Sequence, residues 1–406
     1  MDTSSSEFNL AYAYLLDKER NFSLILGGPL YQILRKANLT GDAPQLLRLR
    51  IMISIMLTWV PLLLLSVAQG YAWDESVKLP FLYDLEIHVR LLLVLPLLIF
   101  SELIVNRRMG PVVSQFLERG IINKVDREKF DTSIDSAIRW RNSVMAEVAL
   151  LVFVYTFGVG HLWRTQLFIN VSSWQGIATE GQRHLSLAGW WMALVSLPLF
   201  QFLLLRWYFR LFIWTRFLWR VSRIKLNLMP LHPDRCGGLG FLSAVTNAFA
   251  PLLFAQGTML AGMIASRIIF NGAKLVDFKL EIFGLVALTV FTIIGPLLVF
   301  TPKLAAVRLK GDREAGALTH RYVQEFDKKW LRGGGSNEER LIGNADIQSL
   351  ADMGNSFSVV QEMKIVPFTI RDVANLGITT LLPLAPLLLT MFSLEELLAN
   401  LIKMVL

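Results

Sequence analysis

Seven apolar runs, each long enough to cross a lipid bilayer, constrain this chain more than any other feature. A spanning helix needs about 20 mostly apolar residues, because hydrocarbon offers no water to a free backbone N–H or C=O. Six such runs fall at 50–70, 88–105, 143–163, 187–211, 241–265 and 279–301. The seventh, 374–392, reads ANLGITTLLPLAPLLLTMF. Its prolines, Pro383 and Pro386, leave open a kinked spanning helix or a re-entrant turn, and membrane helices tolerate proline well enough to favour spanning. The composition agrees: only 18% of residues are charged, where a soluble domain carries about 25%. The expected fold is all-α, a polytopic membrane helix bundle of six or seven transmembrane helices with cytoplasmic helical extensions.

Four segments follow. Residues 1–47 form an amphipathic N-terminal segment that includes PLYQILRKANL, suited to the membrane surface. Residues 48–301 hold six helices of the bundle. Residues 302–373 form a cytoplasmic helical segment in two parts, 313–331 and 344–365, joined by RGGGS and suited to pack under the bundle or against a neighbouring subunit. Residues 374–406 hold the seventh run and an amphipathic tail. The opening MDTSSSEFNL lacks the basic stretch and apolar core of a cleavable signal. A single cysteine excludes an intrachain disulfide.

Lysine and arginine decide the expected orientation. Thirty of the 40 fall in 1–50, 106–142, 212–240 and 302–373, and eight fall in the alternate connections and the tail. The N-terminus is therefore expected in the cytoplasm, and the C-terminus outside if the seventh run spans. The net charge of +8 is then a signature of topology and calls for no nucleic-acid partner. Trp73, Trp163, Trp174, Trp190 and Trp191 fall near the outer interface, and Trp140, Trp207, Trp214 and Trp219 near the inner one, as an aromatic belt requires.

Between the fourth and fifth runs lies MPLHPDRCGGLGFL, 229–242. Pro230 and Pro233 break off the preceding helix. Gly237, Gly238 and Gly240 permit positive φ or close backbone approach. Two readings compete. In one, the stretch is a structural turn with Asp234 as a cap. In the other, free N–H groups with His232, Asp234 and Arg235 bind an anion or a lipid headgroup. A metal site on His232, Asp234 and Cys236 matches no standard ligand spacing, and no metal or cofactor is expected.

HPDRCGGLGFL, together with DIQSLADMGNSFSVVQEMKIVPF (346–368) and LPLAPLLLTMFSLEELL (382–398), resembles a group of bacterial multi-pass inner-membrane proteins with an HPDRxGGLGF-like motif. The resemblance covers most of the chain from the fourth run onward. It implies a bacterial inner-membrane address and no mechanism.

Ionisable residues inside spanning segments are functional candidates, because an unpaired charge there is costly. Glu102, Glu147, Arg206 and Arg210 share one depth, which allows a Glu147–Arg206 or a Glu102–Arg210 pair. On the fifth run, Ser243, Asn247, Thr258 and Gly262 fall in one sector at 100° per residue. Thr292 belongs to a similar stripe on the sixth. Small residues in a stripe mean either close helix packing or the wall of a path. His161 reads as an interfacial hydrogen-bonding residue.

Phosphate-binding loops, His-Glu-x-x-His, Gly-x-Ser-x-Gly and Cys-x-x-Cys are missing from the sequence. Three classes of function survive. The leading one is a channel or channel-like transporter, a homo-oligomer with a path lined by the fifth and sixth helices and an anion preference. The second is a non-catalytic scaffold or sensor that binds a lipid headgroup or a cytoplasmic protein partner through 229–242 and 302–373. The third is a membrane-embedded lipid-modifying enzyme using His232, Asp234 and Arg235. Membrane lipids are partners in all three.

Overall fold

The computed structural model describes residues 22–36, 44–73, 77–160, 173–179, 182–334 and 343–391. His161, Trp163 and the tail beyond 391 lie outside the described residues. Among the described residues the regular structure is helical apart from a two-stranded hairpin, β1 (Gly176–Thr179) and β2 (Gln182–Leu185), with Gly176 opposite Leu185.

The first described helix is the short α1 (Pro29–Lys36). Among the described residues, six helices are long and apolar enough to cross a membrane. They are α2 (Leu46–Ala68), α3 (Leu85–Glu118), α6 (Leu187–Ser222), α7 (Ala250–Asn271), α8 (Leu275–Leu331) and α10 (Ile370–Thr390). Between α3 and α6 lie α4 (Arg127–Arg141) and the shorter apolar helix α5 (Val144–Gly158). A last extramembrane helix, α9 (Ala345–Gln361), precedes α10. The protein is thus a polytopic membrane bundle.

Local chemistry explains the boundaries. Ser143 starts α5 by accepting a hydrogen bond from the Ala146 N–H. Thr369 and Asp372 close a reciprocal capping box at the start of α10. At Pro383 and Pro386 the α10 backbone tightens into 3-10 geometry over Leu382–Thr390 and continues along its axis, so the seventh run is a helix and not a hairpin. Thr289 and Thr380, buried with hydroxyls 3.3 Å apart, join α10 to α8.

Three expectations need correction. The fifth run does not make one helix from 241. Gly240–Ser243 is a 3-10 turn, Ala244–Ala248 a short helix, and α7 starts afresh at Ala250. Pro251 has no N–H to give to the preceding turn, so the ladder breaks there. Secondly, the sixth run does not end at 301. It continues to Leu331 as a 57-residue helix, with 3-10 stretches at Leu275–Phe278 and, around Pro296, at Gly295–Phe300, and π geometry at Asp327–Leu331. Thirdly, Trp174, Trp207 and Trp214 are core residues, not belt residues. Trp174 donates to Asp84 Oδ2 at 2.9 Å and meets Phe81 edge-on, and Trp207 donates to the Leu98 carbonyl. Trp73, Trp140, Trp190 and Trp219 are exposed.

Candidate functional site

Within the bundle, α2, α3, α5 and α6 bring five charged side chains together. Arg210 donates to Glu102 Oε1 at 2.8 Å, and Arg50 donates to the other oxygen of the same carboxylate. Arg206 stands 3.8 Å from Glu102 and 3.4 Å from Glu147. Both pairings that depth allowed are therefore present, linked through Arg206 and joined by Arg50. The guanidinium of Arg210 also lies over the Trp207 ring. Glu102, Glu147, Arg206 and Arg210 are all buried. Each carboxylate is held by guanidinium groups, the condition under which buried charge persists.

The cluster is closed by residues 22–28, just ahead of the PLYQILRKANL stretch. Phe22, Ser23, Leu24 and Ile25 are buried, and the Phe22 ring packs against Phe217. The Ser23 hydroxyl donates to Asn106 and accepts from the N–H groups of Ile25 and Leu26. Arg141 donates to the Ser23 carbonyl at 2.7 Å. Glu147 accepts from the Leu30 N–H at 2.8 Å, and Asn142 from that of Gly28 at 3.0 Å, so two side chains cap α1. Gly28 sits at φ +91° with Glu147 beside it, where a β-carbon has no room. Arg50, Arg141, Asn142 and Ser23 escaped the sequence reading. The signal was FSLILGG, apolar enough to bury and too short to span.

The glycine-rich turn lies elsewhere and is closed on itself. Asp234 Oδ1 accepts from the N–H groups of Cys236 and Gly238 at 2.8 and 3.1 Å, and Oδ2 accepts from Gly240 at 2.8 Å. His232 Nδ1 stands 2.8 Å from the same carboxylate. Burial raises the Asp234 pKa, but the three N–H donors and His232 outweigh it and hold the carboxyl below its ordinary value. The donors expected for an external anion are thus filled by the protein's own carboxylate. Gly237 and Gly238 adopt φ +63° and +97°, and Arg235 also sits at positive φ.

This turn is a socket for the chain beyond the membrane. The Lys364 N–H donates to the Arg235 carbonyl at 2.7 Å, and Arg235 pairs with Glu362. The Cys236 thiol donates to the Val366 carbonyl. Pro230 and Val360 press on Gly311 of α8, leaving no space for a side chain there. Cys236 is buried, and burial followed by the nearby Asp234 charge pushes its pKa up to about 12, so it offers no thiolate. A cleft of about 300 Å³ beside the turn is lined by Arg119, Asp234, Ser243 and Lys364 among others. Among the described residues, no group of three or more His, Cys, Asp or Glu side chains could hold a metal ion.

The small-residue stripe is packed. Val89 of α3 fills the space beside Gly262, and the Thr380 carbonyl and Pro383 of α10 fill that beside Gly257. Thr258 and Thr292 spend their hydroxyls on carbonyls of their own helices, Phe254 and Leu288. Ser243 and Asn247 lie before Ala250 and so off the spanning helix, with Asn247 exposed on the short helix. At Gly262 and Gly257 the missing side chains thus allow close helix approach within one chain. Comparison with protein-family models, with curated proteins and with solved structures gave no match.

Proposed function

We propose that the protein is a non-catalytic membrane scaffold or sensor, whose limb outside the bilayer docks a protein partner. One observation carries this reading. Helix α8 is 57 residues long, about 85 Å at 1.5 Å per residue, against a hydrocarbon layer about 30 Å thick. Its outer part pairs with α9 to form a two-helix arm. At the tip, Asp346 accepts from Lys329 at 2.8 Å and from Trp330 at 3.0 Å, while Tyr322 donates to the Asp346 carbonyl. At the base, the arm is seated on the 229–242 turn. Leu309, Leu318, Val323, Leu331 and Ile347 remain exposed on it, and apolar side chains outside a membrane are suited to a partner surface.

The thirty-to-eight charge split supports placing the arm in the cytoplasm, and the motif resemblance supports a bacterial inner membrane. Assembly as a homo-oligomer belongs to the same proposal. The packed stripe favours the scaffold over the channel, because its polar groups are spent within the chain. The enzyme reading is disfavoured because its Asp234 carboxylate is engaged by three N–H groups of its own turn. Flux from liposomes loaded with a chloride or potassium reporter tests the choice. The scaffold reading expects the leak of empty liposomes, and flux abolished by Gly262→Val in a folded variant would overturn it.

A further inference from the structure

Helices α4 and α6 face each other across two adjoining clefts of about 450 and 530 Å³. The first is lined by Lys129, Thr132 and Ser133 of α4 and by Arg216, Trp219, Arg220 and Arg223 at the end of α6. The second shares Arg216 and Arg220 and adds Ser136, Arg139 and Trp140 of α4, then Met145, Ala146 and Ala149 of α5. On α4 these positions recur at three and four residues, one face of a helix, and on α6 the spacing 216, 219, 220, 223 does the same. Neither cleft has an acidic side chain in its lining.

Lys129 pairs with Asp126, but the arginines of this groove are not spent on carboxylates. Among the described residues, Arg139, Arg216, Arg220 and Arg223 have no carboxylate partner. Arg216 lies over Trp140 and Arg223 over Trp219, and the buried Arg216 Nε has no acceptor. A buried N–H without a partner is rare and calls for a ligand oxygen or water. The groove also opens onto an apolar face. Val144, Met145, Val148 and Val152 of α5 are exposed beside it, with Phe212 of α6. Exposed tryptophans at the end of an apolar helix mark the headgroup level of a bilayer.

We propose that this groove binds an anionic glycerophospholipid, with its phosphate between Arg216 and Arg220 and its acyl chains along α5. Guanidinium groups bind phosphate oxygens in forked pairs, and Met145 and Ala149 meet the first methylenes. This site is separate from the arm, and neither proposal depends on the other.

Thermal stabilisation of the full chain in mild detergent tests it, with phosphatidylglycerol, phosphatidylcholine and free glycerol phosphate as probes. Phosphatidylglycerol is expected to raise the melting temperature of wild type and the other two to leave it unchanged. Its apparent affinity should fall about fivefold for each arginine removed near the headgroup, in Arg139→Gln and more in Arg216→Gln/Arg220→Gln. Arg139 is exposed and takes no part in the core, so its variant folds and keeps the test valid if the double variant does not. Equal stabilisation of wild type and Arg139→Gln would overturn the proposal. So would equal effects of the two lipids, and glycerol phosphate acting as well as the lipid would replace it with a soluble-anion site.

Discussion

Glu147 links two structures at once: one carboxylate oxygen stands 3.4 Å from Arg206 Nε, and the other accepts the Leu30 N–H at 2.8 Å. The same carboxylate thus balances a buried guanidinium and caps the helix that follows the inserted N-terminal segment. Removing one member of a buried pair strands the other and costs about 3–5 kcal/mol. Glu147→Gln and Arg206→Gln should each lower the melting temperature, and the double variant should lose less than the two losses together. Strictly additive losses in a double-mutant cycle would mean that the pair contributes nothing.

Glu102 answers to three arginines, Arg50, Arg206 and Arg210, where Glu147 answers to one. Glu102→Gln should therefore be the most damaging neutralisation in the cluster. Thermal unfolding of both single variants in one detergent checks the order.

The segment from Phe22 to Gly28 should behave as part of the core. Gly28→Val forces a β-branched residue into positive φ beside Glu147, a strain of about 1–3 kcal/mol. Gly120 also has positive φ but nothing near its missing β-carbon, so Gly120→Ala should cost less. Equal melting temperatures for the two variants would remove the segment from the stability account.

Asp234 gives the turn a defined pH dependence. Its folded pKa is depressed, so its stabilisation is complete above the ordinary carboxylate range and is lost as pH falls through the folded value. Asp234→Ala strips the acceptor from three N–H groups and should cost about 2–3 kcal/mol at neutral pH. The gap from wild type should shrink as pH drops below about 4. A gap independent of pH would show that the lost interaction is not the charged carboxylate.

Cys236 cannot serve as a topology reporter in the native protein. It is 2% exposed, and its thiol is both buried and raised to about 12. Maleimide should label it only after denaturation, from whichever side it is applied. Rapid labelling of native protein would show that the socket around 360–369 opens.

The membrane class and most spans were legible because a long apolar run has few alternatives. The Glu–Arg pairs were legible because four ionisable groups at one depth must find each other. The start of α7 was not, since periodicity passes through Pro251 as if the backbone could. Phe22–Gly28 went unread because seven residues carry no periodic signal, and its partners Asn106, Arg141, Asn142 and Phe217 lie far along the chain. Gly311 drew no notice in the sequence, yet α8 keeps a glycine there so that Pro230 can approach. The turn itself was ambiguous for a physical reason: a nest of N–H groups looks the same whether its anion is external or is Asp234 of the same turn.

Photo-cross-linking in living cells tests the central claim most directly, with a photoreactive residue at Leu318 or Val323 on the arm and at Leu280 or Phe283 in the membrane span. All four positions are exposed in the structure. The account predicts one protein adduct of the same mass from both arm positions and none from the two span positions. Adducts only to lipid, or none from the arm at all, would contradict it.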